Sequence, residues 1–113
     1  MTWAFLSPPG QAWHPNNVDG REMHSVVYLS GPNCLLCFGG WTRDEGPVNE
    51  TLVWENVTAA HNTSGWVSLR EAPNFVSPRA RYGHTGVVLD ANRMLILGGM
   101  EFGTIFDVGF IFM

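Results

Sequence analysis

Cys34 and Cys37 stand three residues apart, a spacing that elsewhere binds zinc or cycles between dithiol and disulfide. Neither chemistry is expected here. The chain holds two cysteines in all, so no second pair completes a four-ligand zinc site. The run Cys34 to Phe38 is apolar and of strand length. On a strand, residues three apart point to opposite faces, so the two sulfurs diverge. Four histidines are the other candidate ligands: His14, His24, His61 and His84. A metal centre needs several ligands converging on one point. His24 and His84 share one position of the repeat described below, which assigns them to packing, while His14 and His61 fall in loops expected at opposite ends. No metal and no cofactor is expected. Asn49, Asn56 and Asn62 begin glycosylation sequons. Without a secretory signal they read as coincidences of Asn- and Thr-rich loops.

The composition limits what could position these residues. The 113 residues include 13 Gly, 7 Pro and 5 Trp, with 14% charged, which suits short strands broken by turns. The net charge of −4 and the lack of a basic run argue against nucleic acid, whose phosphates must be neutralised by Lys and Arg. No segment approaches the roughly 20 continuous apolar residues of a membrane span. The opening Met-Thr-Trp-Ala-Phe-Leu lacks the basic start and long apolar core of a secretory signal. With only two cysteines, the chain is expected in a reducing, cytoplasmic compartment.

An internal repeat organises the chain. Arg21 and His24 return as Arg81 and His84, each 60 residues on. Leu35-Leu36-Cys37-Phe38-Gly39-Gly40 returns as Met94-Leu95-Ile96-Leu97-Gly98-Gly99. Trp3 and Trp66 each have Leu three residues on, at Leu6 and Leu69. Residues 22–29 and 34–38 predict a hairpin, followed by strands at 51–57 and 66–69. The pattern restarts after the Pro-rich 72–78, with strands at 82–89, 94–97 and 107–113. Trp3 to Leu6 reads as the last strand of a preceding copy. Three segments follow: 1–20, a preceding end with its connecting loop; 21–70, a first repeat; and 71–113, a second, truncated repeat. The first two strands of each copy alternate weakly, with apolar side chains on both faces, as in sheets covered above and below.

The residues Arg81-Tyr82-Gly83-His84, the double glycines Gly39-Gly40 and Gly98-Gly99, and the tryptophans Trp54 and Trp66 together resemble the Kelch repeat. The first copy departs from that pattern by carrying Met23 where the second has Gly83. The resemblance implies an all-β fold: a Kelch-type β-propeller fragment with one four-stranded antiparallel blade plus a partial second blade. Propellers have about four to eight blades, and stacked repeats need about three or more for stability. The chain therefore reads as a fragment, as part of an assembly with other chains, or as an atypical fold; its end within a strand favours the first. Gly39, Gly40, Gly98 and Gly99 are expected where the backbone bends and a Cβ would clash. Trp54 and Trp66 are expected between blades. Arg21 and Arg81 should find carboxylates or carbonyls, and His24 and His84 backbone carbonyls.

The function implied is protein–protein interaction or scaffolding without intrinsic catalysis. The alternative is a piece of a Kelch-fold enzyme resembling galactose oxidase, with its catalytic residues outside this chain; Tyr28 and Tyr82 fall within first strands and have no ligating pattern around them. The expected partners are another protein and further blades, with no nucleic acid and no membrane. Strands reverse at each turn, so the loops after second strands share one end with the loops between repeats. That rim carries Trp13, His14, Trp41, Arg43, Asp44, Glu45, Phe75 and Arg79. Trp and Arg are enriched in binding hot spots, and loops on rigid scaffolds carry function.

Overall fold

The computed structural model describes residues 1–2, 20–58, 65–70 and 72–112. These form an all-β fold of antiparallel sheets, with no helix among the described residues. The first large sheet is a meander in the order β2 (Ser25–Leu29), β3 (Cys34–Phe38), β6 (Thr51–Glu55) and β7 (Val67–Ser68). The second runs β8 (Thr85–Asp90), β9 (Arg93–Leu97) and β12 (Gly109–Phe112). Short ladders extend from one end. β1 (Arg21–Glu22) pairs with β4 (Trp41–Thr42), which pairs with β5 (Gly46–Pro47). In the second repeat β10 (Met100–Glu101) and β11 (Thr104–Ile105) form a small hairpin.

The strand order predicted from the repeat holds, and the boundaries tighten. The first strand of each copy breaks before its main ladder, because Met23 and Gly83 both take left-handed backbone, φ 55° and 70°. Strand Thr51–Glu55 is shorter than expected because Asn56 also turns left-handed at φ 51°. The link between β8 and β9 shrinks to Ala91-Asn92: Asp90 accepts from the Asn92 N–H at 3.0 Å and pairs with Arg93 at 2.7 Å. Those bonds lower the Asp90 carboxyl pKa, the Asn92 N–H contributing most.

The two large sheets stack face to face. Val27, Leu29, Cys34, Leu36 and Phe38 of the first meet Met94 and Ile96 of the second in one apolar layer. Cys37, Leu52, Trp54 and Trp66 form a separate buried cluster on the other face of the first sheet. The two cysteines thus do sit on opposite faces, both as free thiols. Burial pushes the Cys37 thiol up to about 11. Trp54 pairs with Leu35 in register, so it points away from the layer between the sheets. It packs edge-to-face on Trp66, with centroids 5.7 Å apart, on the far side. β2 also departs from the two-faced burial expected of it: Val26 and Tyr28, in register with Cys37 and Leu35 on the face turned away from the second sheet, are exposed.

The repeated residues take repeated roles. Arg21 donates to the Gly39 carbonyl at 3.5 Å, and Arg81 to the Gly98 carbonyl at 3.0 Å. Gly40 and Gly99 have φ of 103° and 91°. A Cβ on Gly40 would meet the Glu22 carbonyl and the His24 Cβ, each at 2.8 Å; one on Gly99 would meet the matching Tyr82 carbonyl and His84 Cβ at 3.0 Å. Side chains are therefore excluded at both positions by conformation and by space.

Candidate functional site

Buried charged groups hold the loop end in place. Arg21 pairs with Glu50 at 2.8 Å, and exposed Arg70 reaches the other Glu50 oxygen at 3.1 Å. Burial alone would raise the Glu50 carboxyl, but hydrogen bonds from Arg21 and Ser68 and the two guanidinium charges outweigh it and hold it below its usual value. Arg81 is solved differently. It is 1% exposed and donates to the carbonyls of Arg79 and Gly98. Its guanidinium lies 4.1 Å from the Phe106 ring centre and 5.2 Å from that of Phe110. Aromatic faces attract a cation electrostatically, which compensates part of its lost hydration. Burial still lowers the Arg81 pKa.

His84 has a side-chain partner besides the backbone carbonyl expected for it. His84 Nε2 sits 2.7 Å from the Ser25 hydroxyl, which belongs to the other repeat. The Phe38 carbonyl nearby is a secondary influence that favours the charged ring, but burial dominates and drops His84 to about 4. His24 is lowered too, by burial and then by Arg21. The Nδ1 atoms of both histidines are buried without a hydrogen-bond partner among the described residues. A hydroxyl on an imidazole is the arrangement that activates a nucleophile in hydrolases. Here both residues are buried, and their contact joins the two sheets.

The rim itself lies where β4, β5, β10 and β11 meet the end of the inter-repeat linker. Trp41 packs edge-to-face on Tyr82 at 5.3 Å and on Phe102 at 6.1 Å. This cluster crosses from one repeat to the other. Phe102 is 75% exposed, and Met23, Met100 and Ile105 are exposed at the same end. Phe102 and Gly103 have φ of 43° and 87° between paired Glu101 and Thr104, a two-residue reversal of the kind that suits twisted hairpins. Arg43, Asp44 and Glu45 form the exposed turn between β4 and β5. Arg79 pairs with Glu101 at 2.6 Å and lies 5.5 Å from the Phe106 ring centre.

Of the residues assigned to the rim from the sequence, Trp41, Arg43, Asp44, Glu45 and Arg79 occupy this end. Phe75 does not join them. It stacks toward Phe112 at 6.3 Å and lines a cavity of about 160 Å³ between the two sheets. Trp13 and His14 lie outside the described residues, as do Trp3 to Leu6, His61 and Asn62. Tyr82 and Met23 are rim residues that the sequence reading missed, whereas Phe102 lies in the loop Met100 to Phe106 that this reading placed at the same end without singling it out. Phe102-Gly103 carried a hairpin-turn signal that could have placed Phe102 at a loop tip. Among the described residues, no cluster of His, Cys, Asp or Glu could hold a metal ion, and no helix is long and apolar enough to cross a membrane.

The class so defined is a pair of stacked antiparallel sheets built from one repeat, with an aromatic and charged loop rim at one end. Neither the protein-family models nor the curated proteins compared with this sequence give a match.

Proposed function

We propose that the chain is a piece of a Kelch-type β-propeller, one four-stranded blade and most of a second, and that it serves as a protein-binding module through its loop rim. One observation carries the reading: Arg21/Arg81, His24/His84 and Gly39-Gly40/Gly98-Gly99 recur in matched positions of two sheets stacked face to face. Blades stacked around an axis bury both faces of each sheet in this way. The rim supplies the binding argument. Trp41, Tyr82 and Phe102 form an aromatic surface anchored on both repeats, ringed by Arg43, Asp44, Glu45 and the Arg79–Glu101 pair. Aromatic anchors within a polar rim are the usual anatomy of a binding hot spot.

The test uses Phe102→Ser and Arg43→Glu, because both side chains are exposed while Trp41 is packed. Immobilised wild-type chain should retain a defined protein from cell extract that either variant loses, with thermal unfolding unchanged. Equal retention by wild type and variants would remove the rim from the proposal.

A further inference from the structure

Phe75 to Pro78 of the inter-repeat segment form one wall of the cavity of about 160 Å³ between the two sheets. Leu36 and Phe38 of the first sheet face Met94, Ile96 and Phe112 of the second across it. Apart from Thr51 and Ser77 the lining is apolar. An apolar cavity of about 150 Å³ admits a benzene-sized ring. Phe75 and Phe112, inclined at 53° with centres 6.3 Å apart, present ring edges and faces to such a guest. Met94 adds a polarizable thioether, which also favours aromatic contact.

Thr51, Phe75 and Ser77 line a second recess as well, of about 190 Å³, together with Asn49, Glu50 and Arg70. The two hollows therefore share a wall, one side greasy and the other charged. The charge is unbalanced. The single Glu50 carboxylate meets two guanidiniums, Arg21 at 2.8 Å and Arg70 at 3.1 Å, which leaves one positive charge in excess among the three. The Arg21 side chain is 6% exposed and that of Arg70 60%, so Arg70 is the one that presents the surplus. Its fork carries five N–H donors, enough to keep Glu50 and take a second carboxylate.

We propose that the joined hollows bind a small aromatic carboxylate, its ring between the sheets and its carboxylate on Arg70. Volume and lining select the ring. Charge selects the head group: an ammonium would compete with two guanidiniums for a carboxylate they already hold, whereas an anion meets the surplus. The short chain between ring and head passes the shared wall at Thr51 and Ser77. None of these residues belongs to the Trp41, Tyr82 and Phe102 cluster, so the site stands apart from binding at the rim.

The probe is 3-phenylpropionate, titrated into the full chain by calorimetry. Saturable one-to-one binding at about 1 mM or tighter is expected. The neutral 3-phenylpropanol should bind about tenfold more weakly, the loss of one charge-assisted hydrogen bond, and phenethylamine more weakly still. Arg70→Gln changes an exposed side chain and should leave thermal unfolding in place. It should weaken 3-phenylpropionate about tenfold and leave 3-phenylpropanol unchanged. Phe75→Ala should weaken both, while Arg93→Gln, an exposed arginine outside both hollows, should weaken neither. The site is refuted if no saturable binding occurs, if phenethylamine binds as well as the carboxylate, or if Arg70→Gln affects acid and alcohol alike. A peptide ending in Phe that binds more tightly than 3-phenylpropionate would overturn the small-molecule assignment in favour of a chain terminus. Loss of binding in Phe102→Ser would place the ligand at the rim and refute the site as well.

Discussion

Acidification should loosen the joint between the repeats before it touches the rest of the fold. His84 is buried against Ser25 and is held down to about 4 by burial, whereas an unfolded histidine titrates near 6.5. Between those values the unfolded chain binds the proton and the folded chain does not. Stability is therefore complete above about pH 6.5 and falls as pH drops toward 4. The linkage relation gives a loss of about 2 kcal/mol between about pH 8 and pH 5, from His84 alone. His24, lowered in the same direction, adds to the loss. The Glu50 carboxylate, held below its usual value, contributes stability that disappears only below about pH 4.5, so the two windows are separable. Urea unfolding of the full chain at pH 8, 7, 6 and 5 reads the slope. His84→Gln should lower stability at neutral pH and flatten most of the decline. A wild-type stability constant from pH 8 to 5, or an undiminished slope in His84→Gln, would refute a buried neutral imidazole.

Three further substitutions test the repeat geometry. Gly40→Ala places a Cβ against the Glu22 carbonyl and the His24 side chain at φ 103°, and should destabilise by about 2–4 kcal/mol in thermal unfolding. The two arginines of the linker should separate sharply. Arg79→Ala removes an exposed pair with Glu101 and should cost less than about 1 kcal/mol. Arg81→Ala empties a buried site between two carbonyls and two aromatic rings and should cost about 3 kcal/mol, read as a shift in the denaturation midpoint.

The sequence disclosed the repeat because its signals are local. Double glycines, Arg and His at fixed offsets, and short apolar runs survive without knowledge of what packs where. Strand order and the divergence of Cys34 and Cys37 followed from periodicity alone. What it hid depends on contacts distant along the chain. The pairing of His84 with Ser25 joins residues from different repeats, and no spacing rule links them. Trp54 and Trp66 were correctly read as buried, but the face they bury was set by register with Leu35 and Cys37, which composition does not specify. The rim was half legible. Trp41 and Arg43 stood out by residue type, whereas Tyr82 joined them only because the two repeats abut at that end. Met23 looked like a simple departure from Gly83, yet it adopts the same left-handed backbone with a full side chain.

The two sheets are stitched by main-chain bonds at both extremities: Gly40 to Arg81 and Gly83 to Met23 at the loop end, Gly31 to Ala91 between the hairpin tips. Such fasteners, spread along the length of the sheets, prescribe the dihedral setting of one sheet upon its neighbour. Curvature is thereby written into peptide groups, which mutation seldom alters. The greasy filling can then drift, leucine for methionine or valine for isoleucine, while the angle between the two sheets holds.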